Sequence, residues 1–225
     1  MGTAVDSTNG TGGALAPREL LLADDLFLAA HDDVSGKPRL PARAAGLGLA
    51  AALLGELVMF RRITLRRGDV VVLEKGPVPD ALAHLVFEEV RREPEPAPVW
   101  DWLTYLAEDA YQRVAERMVR QGLLAPQTKR LRRAGGYQPV DLNAAAWPLV
   151  RLAQKLAREE PVVLPDIVLA GLVRATGLNP YLRAAALADV TTYQQRLVAQ
   201  LPTPLRVLVA EAEGAVGEAV LRRRR

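Results

Sequence analysis

The chain has 225 residues and a formal net charge of +3; half of it is hydrophobic, only 5% is aromatic, and it holds no cysteine. That length can bury a substantial core, and the absence of cysteine excludes disulfides, thiolate metal sites and cysteine nucleophiles and fits a reducing cytoplasm. So small a net charge argues against a wholesale nucleic-acid binder, and any polyanion site must come from local clustering.

Residues 1–16 are small and polar and are expected to form a disordered tail. They lack the basic-then-apolar order of a secretory signal. Glu19 to Asp33 predicts a helix with Leu20, Leu21, Leu22, Leu26, Phe27 and Leu28 on one broad face and Asp24 and Asp25 opposite, on solvent. Ser35-Gly36-Lys37-Pro38 breaks that pattern. Ala42 to Phe60 follows as a second helix, nearly uncharged, with one interior acid, Glu56. At this length and with that acid it reads as a buried core helix rather than a membrane span.

Arg61-Arg62 leads into Ile63–Leu73, two short strands around a Gly68-Asp69 turn. Asp80 is a candidate N-cap for a helix running to Arg92, with Leu82, Leu85, Val86 and Val90 on its buried stripe. Glu93–Pro98 is a proline-stiffened link. Helices are expected over Trp100–Ala107 and Ala110–Gln121, the latter striped by Val114, Met118 and Val119 and closed by Gly122. Leu123–Pro139 reads as a second hairpin, with Gly135-Gly136 near its turn. Helices then return over Ala144–Arg158, Pro165–Ala175, Leu178–Leu201 with a break, and Pro204–Leu221, before a basic tail, 222–225. The fold class is mainly α: a single helical domain over 17–221 with two short β-hairpins, one protruding. Abundant Ala and Leu favour helix because they lose little side-chain freedom there.

Catalytic chemistry is poorly supplied. His31 and His84 stand on separate helices without ligand partners at metal spacing. Ser7 and Ser35 are the only serines, and neither sits in a nucleophile elbow. Asp24-Asp25 and Asp32-Asp33 are adjacent pairs that point apart on a helix and make poor joint ligands. No catalytic residue, metal site or cofactor is expected. The basic groups carry more information: Arg39 and Arg43 flank Leu40-Pro41, Arg61, Arg62, Arg66 and Arg67 decorate the first hairpin, and Arg113, Arg117 and Arg120 share a helix face. The second hairpin is the most pointed, with Lys129, Arg130, Arg132 and Arg133 around Leu131 and no acid among them. Such a segment suits an anionic bilayer, where each Lys or Arg contributes about 1 kcal/mol.

Seven blocks in order also carry a family likeness: Glu19–Asp33, Gly48–Val58 with Glu56, Arg62–Leu65, Gly76–Leu82, Trp102–Leu106, Val114–Leu124 and Tyr137–Leu142. Together they resemble the Golgi phosphoprotein 3 family over residues 17–220. The resemblance implies a mostly helical domain with a protruding hairpin and no enzymatic activity. Eukaryotic members bind phosphatidylinositol 4-phosphate on Golgi membranes and recruit glycosyltransferase tails. The family's head-group site uses a Trp, an Arg in the buried helix and an Arg pair before the hairpin. Those positions fall here near Pro41, Ala50, Glu108 and Tyr111, and none matches. The family's hairpin tip is apolar, and this one is basic.

These departures imply a bacterial relative that acts at the inner face of the membrane on a phosphoinositide or other anionic phospholipid. Arg39, Arg43 and Arg113 are expected to line the head-group site and Lys129–Arg133 to meet the bilayer. Two alternatives stay open. One is a winged-helix-like DNA-binding protein, which the uncharged second helix disfavours. The other is an adaptor that holds client protein tails or self-associates through its hairpins.

Overall fold

A computed structural model describes residues 20–73, 76–127 and 136–223. The N-terminal tail, the outer part of the second hairpin and the last two residues lie outside the described residues. Lys129, Arg130, Leu131, Arg132 and Arg133 fall in that undescribed part.

Helix α1 (Leu22–Ala29) is shorter than the sequence predicts and buried along its whole length. It stops early because Asp32 organises a turn: its carboxylate accepts the Ser35 N–H at 2.8 Å and hydroxyl at 2.7 Å, and Gly36 takes a left-handed φ of +64°. Turn formation of this Asx kind competes with helix continuation. Asp24 and Asp25, expected on a solvated face, are instead buried, at 1% and 5% exposure.

Helix α2 (Ala42–Met59) is the hub, in contact with α1, with α3 (Ala81–Arg92), α4 (Val99–Leu106), α5 (Ala110–Arg120) and α7 (Leu164–Ala175), and with α10 (Thr203–Arg223). It is long and apolar enough to cross a membrane, yet 78% of it is buried within the protein, as a core helix is. Its small residues let backbones close in: a Cβ at Gly46 would stand 2.4 Å from the Ala107 carbonyl oxygen.

Strands β1 (Ile63–Arg66) and β2 (Asp69–Val72) form the first hairpin, registered Ile63↔Val72 through Arg66↔Asp69. The turn is therefore Arg67-Gly68, one residue earlier than expected, with φ of +55° and +92°. Two left-handed residues match the twist of a two-residue hairpin. The proline-rich link ends in a third strand, β3 (Ala97–Pro98), which pairs with β2 at the edge, where the missing proline N–H costs no ladder bond. Asp80 caps α3 as expected, accepting the Ala83 N–H at 2.9 Å. Leu85 is exposed rather than buried; Ala83 and Phe87 fill the stripe instead.

Strands β4 (Leu124–Pro126) and β5 (Tyr137–Pro139) form the base of the second hairpin. Helix α6 (Leu142–Ala157), capped by Asp141, packs on α1 and on α8 (Asn179–Ala186). Leu187, left-handed at φ +53°, separates α8 from α9 (Thr191–Ala199). Helix α10 continues into the segment expected as a basic tail. One hydrophobic core runs through all these layers.

Candidate functional site

Two polar regions stand out, and they differ in kind. The first is interior. Arg117 of α5 is 2% exposed and holds three carboxylates: Nη2 lies 2.8 Å from Asp24 Oδ1, Nη1 3.1 Å from Glu56 Oε2, and Nη1 3.0 Å from Asp80 Oδ1. Glu56 also accepts the Ala23 N–H at 2.8 Å. Burial pushes the Glu56 carboxyl up to about 7 despite the pull of Arg117, and it raises Asp24 in the same way. Burial works against the Arg117 charge, but the carboxylates outweigh it and hold the guanidinium above its ordinary value.

A second interior cluster lies beside it. Arg151 meets Asp25 at 2.7 Å and Asp166 at 2.8 Å, and Lys155 meets Asp166 at 2.7 Å. Burial lifts Asp25 to about 6. Adjacent aspartates on α1 therefore point to two different networks, as neighbours on a helix must. The first network ties together α1, α2, α5 and the start of α3; the second ties α1, α6 and α7. Among the described residues no group of acids or histidines could hold a metal ion, and these carboxylates are consumed by their cations. Their role is architectural. Arg117 accordingly leaves the surface stripe expected from its spacing, while Glu116 on the exposed face accepts a hydrogen bond from Gln112.

The second region is a cavity of about 500 Å³ between the end of α1, the start of α2 and the α4–α5 junction. His31, Leu40, Arg43, Glu108 and Tyr111 line it. His31 is buried and fully engaged. Its Nδ1–H donates to the Phe27 carbonyl at 2.7 Å, so its Nε2 accepts the Tyr111 hydroxyl at 3.0 Å. A carbonyl has no proton to give, and this settles the tautomer. Burial holds the imidazole below its ordinary value, hence neutral. Tyr111 thus turns oxygen lone pairs, not a proton, to the cavity. Burial also keeps its phenol protonated. Its ring continues an aromatic row from Phe27 through His31 to Tyr137 at the hairpin base, 6.4 Å between the last two centroids.

The opposite wall is the first turn of α2. Pro41 at its N-cap has no side-chain acceptor, so the leading N–H groups are uncapped and carry the positive end of the helix dipole. Arg43 is exposed and has no hydrogen-bond or ion-pair partner among the described residues. It also edges a cavity of about 410 Å³ whose far side is the Glu218–Arg222 pair.

The three arginines proposed from sequence do not line this cavity together. Arg43 does. Arg39 is occupied: it pairs with Asp33 at 3.2 Å, donates to the Ala29 carbonyl at 3.2 Å and stacks over Tyr181, lining a smaller cavity of about 230 Å³. Arg113 is held between Glu89 and Asp109, each at 2.7 Å. Of the four residues near which the resemblance places a head-group site, Glu108 and Tyr111 line the cavity and Pro41 adjoins it, whereas Ala50 is fully buried in α2. His31 and Tyr111 lie eighty residues apart in sequence, and the part of His31 in setting the Tyr111 hydroxyl is visible only once the two rings are placed together.

The family model described as Golgi phosphoprotein 3 (GPP34) matches residues 22–222, nearly the whole chain. No curated protein matches it.

Proposed function

The chain belongs to the Golgi phosphoprotein 3 family, and on that footing we propose that it is a non-enzymatic peripheral membrane protein. It docks on bilayers that carry anionic phospholipids, phosphoinositides included, and takes a head-group phosphate into the cavity at the start of α2. The observation that carries this reading is Arg43, without a partner among the described residues, beside the uncapped first turn of an 18-residue helix and lining a cavity of about 500 Å³. Uncapped N–H groups and a free guanidinium are the donors a phosphate needs. The β4–β5 base stands beside Tyr111 of the cavity through Tyr137, 6.4 Å between ring centroids, and the basic composition of Lys129–Arg133 supports a contribution of that stretch to anionic bilayer binding. Burial of α2 leaves it no face to enter a DNA groove, which weighs against the winged-helix alternative.

Vesicle co-sedimentation tests this. Binding to phosphatidylcholine vesicles containing phosphatidylglycerol or phosphatidylinositol 4-phosphate, weakened by salt, is expected. Equal binding to pure phosphatidylcholine, or none to any vesicle, would overturn it. Arg130→Glu with Arg132→Glu and Arg133→Glu should weaken binding most at low salt.

A further inference from the structure

The polar side chains that line this largely apolar cavity divide into a donor on the α2 side and acceptors on the α4–α5 side. On the donor side are the Arg43 guanidinium and the first N–H groups of α2. On the acceptor side are the Glu108 carboxylate, exposed and without a side-chain partner among the described residues, and the Tyr111 hydroxyl oxygen, whose proton is committed to His31. One cation and one anion line the same space, and His31, being neutral, adds no charge. A head group with several negative charges would meet Glu108 at a cost, because a carboxylate beside a phosphate repels it and offers no proton.

We infer that the cavity reads a zwitterion: a phosphodiester held by Arg43 and the start of α2, with a primary ammonium held by the Glu108 carboxylate and the Tyr111 hydroxyl oxygen. The chemical class is a membrane-borne phosphoethanolamine, and the inference rests on the membrane reading above. An ammonium with N–H donors satisfies both acceptors; the methylated ammonium of phosphocholine has no N–H to give, although the Tyr111 ring could still face its charge. Bilayer charge would bring the protein to the surface, and the cavity would choose the lipid there.

The test compares two vesicles of equal phosphatidylglycerol content, one completed with phosphatidylethanolamine and the other with phosphatidylcholine. The full chain should bind the first about tenfold more tightly, the loss expected when a charge-assisted hydrogen bond is missing. Glu108→Gln should bring the ratio to about one, whereas Arg43→Ala should lower binding to both. Binding to both vesicles with no preference overturns the inference and leaves the membrane reading standing. Binding to neither removes both. A preference that survives Glu108→Gln overturns the assignment of the ammonium. Free glycerophosphoethanolamine bound more tightly than the vesicles overturns a membrane source for the ligand.

Discussion

Helix α2 carries only two charged residues, and they meet opposite fates. Arg43 stands in its first turn, exposed and without a partner among the described residues; Glu56, about 20 Å further along at 1.5 Å per residue, is buried against Arg117. The same helix therefore ends in a region open to a ligand and runs into one closed by its own counter-charges. Charge alone does not mark a site. What separates the two is whether the fold already supplies the partner.

Arg117→Met should have the largest effect. It leaves Asp24, Glu56 and Asp80 facing one another without a cation, a loss of about 3–5 kcal/mol when one partner of a buried network is removed. Denaturant unfolding would measure it. The deficit should shrink toward acid pH, where the stranded carboxyls protonate. If Arg43→Ala destabilised the chain as much, the contrast between the two ends of α2 would collapse.

Gly46→Ala probes the bond between the regions. Its Cβ would press on the Ala107 carbonyl beside the α4–α5 turn that carries Glu108. A cost of about 1–3 kcal/mol, read by thermal melting, should come with reduced vesicle binding, because the cavity wall must shift.

The pH dependence follows from the interior carboxyls. Glu56 titrates near 7 in the fold against 4.5 ordinarily, and Asp25 near 6 against 3.8. The folded state thus holds protons that the unfolded chain has released. These groups contribute stability that is full below their ordinary values and is lost as pH rises through about 6 to 7. His31 opposes them, since its lowered value means that stability is lost as pH falls below about 6.5. Melts from acid to neutral pH should show the decline of the carboxyls with rising pH, and Glu56→Gln should flatten it. Unchanged slopes would remove Glu56 as the group responsible.

Arg43→Ala should be the mildest in stability, within about 0.5 kcal/mol as for exposed positions, while still costing about tenfold in vesicle binding. Together with Arg117→Met it separates a binding arginine from a structural one.

Much of the fold was legible in sequence because it depends on local signals. The run of Ala, Leu and Gly from Ala42, the Asp80 cap, the Gly122 stop and the alternating strands around Gly68 are each decided within a few residues. The errors arose where distant partners decide. Asp24 and Asp25 read as solvent-facing because no neighbour in sequence neutralises them; their cations, Arg117 and Arg151, come from far along the chain. The ion pairs of Arg39 with Asp33 and of Arg113 with Glu89 were equally invisible in the sequence pattern, which does not say which carboxylate a given arginine will meet. Leu85 read as buried because the helical stripe is broader than the surface it meets.

By itself, then, the sequence determined the helical class, the order of elements and the family, since periodicity, capping and turn chemistry act over a few residues. Only the tertiary structure decided which charges are consumed and which remain free. Ion pairing depends on distances across elements, where burial raises the cost of every unpaired charge and proximity removes it. That is why Arg117 became part of the interior and Arg43 was left at the mouth of a cavity.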